Sequence, residues 1–182
     1  MDFSLSSDQE LIKSSARKFI ENECPRDLVR ELALSEKGYD PGIWRKMADL
    51  GWMGLALPEE FGGVGGGMMD LTLVMEEMGR GLLPGPFFTT IAACSFPILA
   101  FGTAEQKEKY LPGMCRGEII GAHGMTEPDT GSDAYGLRTR AEQRDGGYLL
   151  NGTKMFVTNA PVARVTAMLL PSLSRATGRA WM

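Results

Sequence analysis

The chain has 182 residues, a net charge of −4, 43% hydrophobic residues and 23% charged ones. That is an ordinary globular composition with room for one domain or two small ones. The acidic balance, with no basic run interleaved with aromatics, excludes a nucleic-acid or anionic-membrane surface. Three cysteines (Cys24, Cys94, Cys115), odd in number and far apart, form no disulfide framework and point to a reducing compartment.

The N-terminus has neither the basic nor the apolar region of a secretory signal. Ser7 with Glu10 reads as a capping box, followed by an apolar stripe of Leu11, Ile12, Ala16, Phe19 and Ile20 at helical spacing. Pro25 closes that helix, and a short one follows from Asp27 to Leu34. Asp40 reads as an N-cap with Pro41 as first helical residue. Ile43, Trp44, Met47 and Leu50 then share a face, and Gly51 ends the helix. A glycine-rich loop from Pro58 to Gly67 leads to a helix over 70–79 with Leu71, Val74, Met75 and Met78 inward.

The uncharged run from Gly81 to Ala104 is long enough to span a bilayer. Its breakers, Pro84-Gly85-Pro86, Pro97 and Gly102, instead predict a buried helix over 87–101 behind a turn. Thr103 with Gln106 caps the next helix, which Pro112 disturbs near its end. The period then changes. Leu137, Thr139 and Ala141 alternate with Arg138 and Arg140, and Asp145-Gly146 and Asn151-Gly152 read as hairpin turns. Strands are predicted at 148–150, 155–158 and 165–170. The predicted fold class is α+β: an N-terminal all-helical domain over 1–118, then an incomplete antiparallel β domain over 119–170, then a non-homologous tail over 171–182.

Several motifs carry no chemistry. Gly62-Gly-Val-Gly-Gly-Gly67 has Met68 where a dinucleotide fingerprint needs its third glycine, and no strand precedes it. Gly147-xxxx-Gly152-Thr-Lys154 has a phosphate loop's Lys and Thr in the wrong order. His123, the only histidine, has no companion ligands at metal spacing, so no metal site is expected. The segment Met125-Thr-Glu-Pro-Asp-Thr-Gly-Ser-Asp133 supplies hydroxyls at Thr126, Thr130 and Ser132 and close backbone approach at Gly124 and Gly131. Composition alone makes it a polar loop.

Read with Asn151-Gly-Thr-Lys-Met-Phe-Val-Thr-Asn159, that segment resembles the acyl-CoA dehydrogenase family. Pro58-Glu-Glu-Phe-Gly-Gly63, Glu76-Glu-Met-Gly-Arg80 and Gly102-Thr-Ala-Glu-Gln-Lys-Glu-Lys-Tyr-Leu-Pro112 agree in order, and the resemblance runs to about Leu170. It implies a helical domain packed on a middle β domain, with a C-terminal helical bundle completing the enzyme. It also implies FAD, an acyl-CoA substrate oxidised between its α and β carbons, and an electron-transfer flavoprotein as acceptor.

By position, the resemblance places Met125 and Thr126 at the flavin pyrimidine edge and Thr158 near flavin N5. Phe156, beside Val157, covers the ring. Ser132, next to Gly131, meets the FAD pyrophosphate or the acyl-CoA. His123 stands where the family often has an aromatic or small residue, and it shields the flavin or packs. Glu127 is assigned a structural role. The family's base belongs to the C-terminal bundle, so no catalytic residue is assigned, and the chain reads as a fragment with weak or no FAD affinity. The expected setting is the cytoplasm, or the mitochondrial matrix in a eukaryote, with a homo- or hetero-oligomer as the working form. The alternatives are a non-catalytic subunit binding a longer homologue, and a flavin oxidase or monooxygenase on the same fold.

Overall fold

A computed structural model describes residues 4–171. All of the predicted tail except Pro171 therefore lies outside the described residues. The chain forms helices first and strands after. The helices are α1 (Ser7–Glu23), α2 (Arg26–Leu34), α3 (Pro41–Asp49), α4 (Met68–Gly81), α5 (Phe96–Phe101) and α6 (Ala104–Cys115). The strands are β1 (Gly121–Gly124), β2 (Arg140–Arg144), β3 (Gly147–Asn151) and β4 (Val165–Met168).

The caps explain most boundaries. The box opening α1 is made by Ser6 and Gln9, one residue earlier than the predicted Ser7 and Glu10: Gln9 N–H donates to Ser6 Oγ, and the Gln9 side chain accepts from Ser6 N–H. Both pairs fit the same local geometry, so spacing could not separate them. Asp40 caps α3 through Ile43 N–H at 2.8 Å with Pro41 next to it, and Gly51 beyond the helix is left-handed at φ 78°. Thr103 and Gln106 form the predicted box on α6, and Pro112 sits inside that helix without ending it.

The uncharged run resolves into several pieces. α4 ends at Gly81, the Pro-Gly-Pro turn follows, and residues 89–95 form a π-helical segment that continues into α5. No helix among the described residues is long and apolar enough to cross a membrane. The π segment places Thr89, Thr90, Ile91, Cys94 and Ser95 inside. Thr90 Oγ1 accepts from Gly121 N–H at 3.2 Å, tying this segment to the start of β1. A Cβ at Gly121 would meet Cys94 at 2.7 Å, so β1 lies against the π segment only because residue 121 is glycine.

The main core joins Ala16 and Ile20 of α1, Ile43, Trp44 and Met47 of α3, Leu71, Val74 and Met78 of α4, and Ile91, and extends to Ile120. α1 and α4 are further held by ion pairs centred on Glu77, which is 1% exposed and meets Arg17 at 2.7 Å and Arg80 at 2.7 Å. The Arg17 guanidinium lowers the Glu77 pKa; burial opposes it, Arg80 adds to it, and the value falls to about 2. A second cluster of Cys94, Leu111 and Met114 packs against Ile119 and against Val165 and Ala167 of β4, joining the helical and strand regions.

β1 and β4 pair in parallel, Gly121 with Val165 through Gly124 with Met168. β2 and β3 pair antiparallel around Asp145-Gly146, as the turn residues predict. The parallel pair departs from a domain laid out purely as hairpins. Two expectations fail outright. Asn151-Gly152 is no hairpin turn, and 155–158 is no strand. A two-residue type I′ turn needs positive φ at both central residues, and Gly152 has it at 146° while Asn151 does not. After Gly152 the chain crosses the 125–127 loop instead of returning along β3. Met155 N–H donates to the Thr126 carbonyl at 2.8 Å, and the Lys154 ammonium is drawn to Glu127. Thr158 makes only an isolated antiparallel bridge with His123.

Candidate functional site

The site is built by two segments that leave β1 and β3 and then lie side by side. The His123–Thr158 bridge and the Met155-to-Thr126 bond hold 123–126 against 155–158. This brings His123, Met125, Thr126, Phe156, Val157 and Thr158 onto one wall. Gly131 joins it, because a Cβ there would touch Thr126 Cγ2 at 3.5 Å. Ser132 follows Gly131 on the same loop and is exposed. That loop is braced by reciprocal Glu127–Thr130 backbone bonds of 2.8 and 3.2 Å and by Thr130 Oγ1 donating to the Asp133 carbonyl at 2.6 Å.

The strongest element of the wall is the pair Glu127–Lys154, 2.8 Å apart with both side chains 6% exposed. Glu127 accepts from the backbone N–H of Arg138 at 2.7 Å and of Thr139 at 2.9 Å. Lys154 also donates to the Met125 carbonyl at 2.9 Å. Burial pushes the Glu127 carboxyl up, but the Lys154 ammonium and the two amides outweigh it and bring the pKa down to about 2. A carboxylate so engaged is a poor proton acceptor, which agrees with the structural role expected for Glu127. Lys154 and Asn159 stand in the motif without a role read from sequence. Asn159, at φ 69°, donates to the Gly121 carbonyl at 2.9 Å and to Pro86 O at 3.1 Å, stapling the wall to the helical region. Nothing in the local pattern marks such a long-range bond.

Phe156 is 82% exposed and has φ 52°. Left-handed backbone at a large aromatic is strained, and such strain concentrates at functional sites. Thr126 is half-buried beside it and Thr158 is exposed. An exposed aromatic, two hydroxyls and adjacent backbone suit a flat heteroaromatic ring with polar edges. They do not suit a metal, and no group of three or more His, Cys, Asp or Glu among the described residues could hold one.

Residues 6–118 match the model of the acyl-CoA dehydrogenase N-terminal domain and residues 122–180 that of the acyl-CoA dehydrogenase middle domain. The chain belongs to the acyl-CoA dehydrogenase family. It is 37% identical over 169 residues to an L-prolyl-[peptidyl-carrier protein] dehydrogenase of Serratia sp., covering 91% of this chain and 43% of the relative. It is 36% identical over 165 residues to a short-chain specific acyl-CoA dehydrogenase of Clostridium acetobutylicum, covering 90% of this chain and 43% of the relative. A solved acyl-CoA dehydrogenase complexed with FAD from Bacillus anthracis superposes with a TM-score of 0.81 at 34% identity, covering 91% of this chain and 29% of that one. The chain thus spans less than half the length of these relatives, and FAD is the cofactor of the family.

Proposed function

We propose that this chain supplies the flavin-facing wall of an FAD-dependent acyl-CoA dehydrogenase. The observation that carries the reading is Phe156, exposed on left-handed backbone within the segment that Met155 and Thr158 tie to 123–126. FAD would be held by the Thr126 and Thr158 hydroxyls at the ring edge, with Phe156 over one face and Gly131 and Ser132 toward the phosphate chain. FAD, when bound, supplies the hydride acceptor for α,β-dehydrogenation of an acyl thioester. The chain's own part is to orient and shield: preorganised donors stabilise negative charge where it develops, and Phe156 keeps water from one face. Glu127 is fixed by Lys154 and takes no proton, so it is not the base. Acyl-CoA as substrate, an electron-transfer flavoprotein as acceptor and a homo- or hetero-oligomeric working form complete the reading.

A ligand site normally buries most of its ligand, whereas one wall leaves the ring in water. The 182-residue chain is therefore expected to purify colourless, to bind FAD at millimolar concentration at best, and to turn over no acyl-CoA in a dye-linked assay. An FAD titration followed by amide shifts tests this: changes centred on 123–132 and 156–158 support the wall, and changes centred elsewhere refute it. The Serratia relative, whose name places its substrate on a carrier protein, favours a second reading with an aminoacyl thioester on such a carrier. Turnover of the two thioester types by an enzyme carrying this segment separates the readings.

A further inference from the structure

β1 lies between β4 and the Thr158 bridge, so His123 has Ala167 on one flank and Thr158 on the other. A Cβ at Gly121 would run into Cys94 and Met114, and side chains two apart on a strand share a face. The His123 ring thus lies on the face turned toward the helical region, and Thr158, its cross-strand partner, shares that face.

Nδ1 of His123 is buried and finds no hydrogen-bond partner among the described residues, while the residue as a whole is partly exposed. The part that water reaches therefore lies away from Nδ1. A proton on Nδ1 would be a buried N–H with no acceptor, which is rarer in proteins than an unpaired acceptor. In the neutral ring the proton consequently sits on Nε2, where it can be solvated or donated.

We propose that His123 is a hydrogen-bond donor to the flavin ring, fixed as the Nε2–H tautomer and set beside the Thr158 hydroxyl. The proposal rests on the flavin reading above. The edge nitrogens and carbonyl oxygens of the ring are acceptors, and they gain electron density on reduction. The Nε2–H and the Thr158 hydroxyl offer two adjacent donors to that density. A phenylalanine or a small residue in this slot supplies no such donor.

His123 is the only histidine of the chain, so histidine labelled with isotopic nitrogen gives one imidazole spin system. In the 182-residue chain without flavin, the expected spectrum is that of the Nε2–H tautomer. On adding FAD to millimolar concentration, the Nε2 signal should move together with the Thr158 amide. His123→Phe should weaken FAD affinity about 5-fold, the worth of about one hydrogen bond, with a thermal midpoint unchanged or higher because the unpaired Nδ1 is gone. An Nδ1–H tautomer overturns the proposal. So does FAD that moves the Thr126 and Thr158 amides and leaves Nε2 still, a result that spares the flavin reading. So does an Nε2 shift caused by an acyl-CoA and not by FAD. FAD that moves only amides outside 123–132 and 156–158 overturns the flavin reading, and the proposal with it.

Discussion

Lys154→Met is the sharpest test of how the wall is held. The substitution keeps an unbranched apolar stem and removes the ammonium that meets Glu127 at 2.8 Å and the Met125 carbonyl at 2.9 Å. Glu127 would keep only its bonds from the Arg138 and Thr139 amides. Breaking a buried ion pair from one side costs about 3–5 kcal/mol. The two amide donors stay on the stranded carboxylate, so we expect a loss at or below the lower end of that range, about 2–3 kcal/mol. Hydrogen exchange at the Arg138 and Thr139 amides should then speed up about 30- to 150-fold, 1.4 kcal/mol being a factor of about ten. The double variant Glu127→Gln/Lys154→Met leaves no stranded charge and should recover at least about 1 kcal/mol. Exchange accelerated less than about threefold, or a double variant weaker than Lys154→Met, would refute the lock.

Glu77→Gln removes the charge between Arg17 and Arg80, whose side chains are 46% and 44% exposed. Solvent screening reduces the expected loss to about 1–2 kcal/mol in urea denaturation. Glu77 and Glu127 both titrate below their ordinary value of 4.5, at about 2. Their contributions are therefore complete above about pH 5 and disappear as pH falls toward 2; urea midpoints measured across that range should drop in the wild type and drop less in Glu77→Gln. Gly121→Ala places a Cβ 2.7 Å from Cys94, so β1 must move off the π segment at a cost of about 1–3 kcal/mol; an unchanged thermal midpoint would show that the contact can relax.

The helical half was legible because its signals are local. Asp40-Pro41, Thr103 with Gln106, and the apolar stripes each act within a turn or two, and the observed helices follow them within a few residues. The misread cap on α1 is a choice between two adjacent pairs, Ser6 with Gln9 and Ser7 with Glu10, of equal local merit. The strand half was legible only where a turn decides by itself, at Asp145-Gly146. Asn151-Gly152 carries the same dipeptide signal, yet a partner distant in sequence overrides it: Lys154 reaches back to Glu127, and Met155 to Thr126.

The site shows the same division. Its residues are proposed from a motif that keeps them in order, although the motif does not show why they stand together. The structure supplies that reason in three long-range ties: Lys154 on Glu127 and Met125, Asn159 on Gly121 and Pro86, and Thr158 on His123. Each tie replaces regular strand pairing with side-chain or isolated backbone bonds. That exchange leaves Phe156 on strained, exposed backbone instead of inside a sheet. A regular strand over 155–158 would satisfy its own backbone better, but its alternation would turn Phe156 and Thr158 to one face and Val157 to the other. The irregular path gives up ladder bonds and sets the aromatic ring and the hydroxyl by separate constraints, which is what a wall for a flat ligand with polar edges requires.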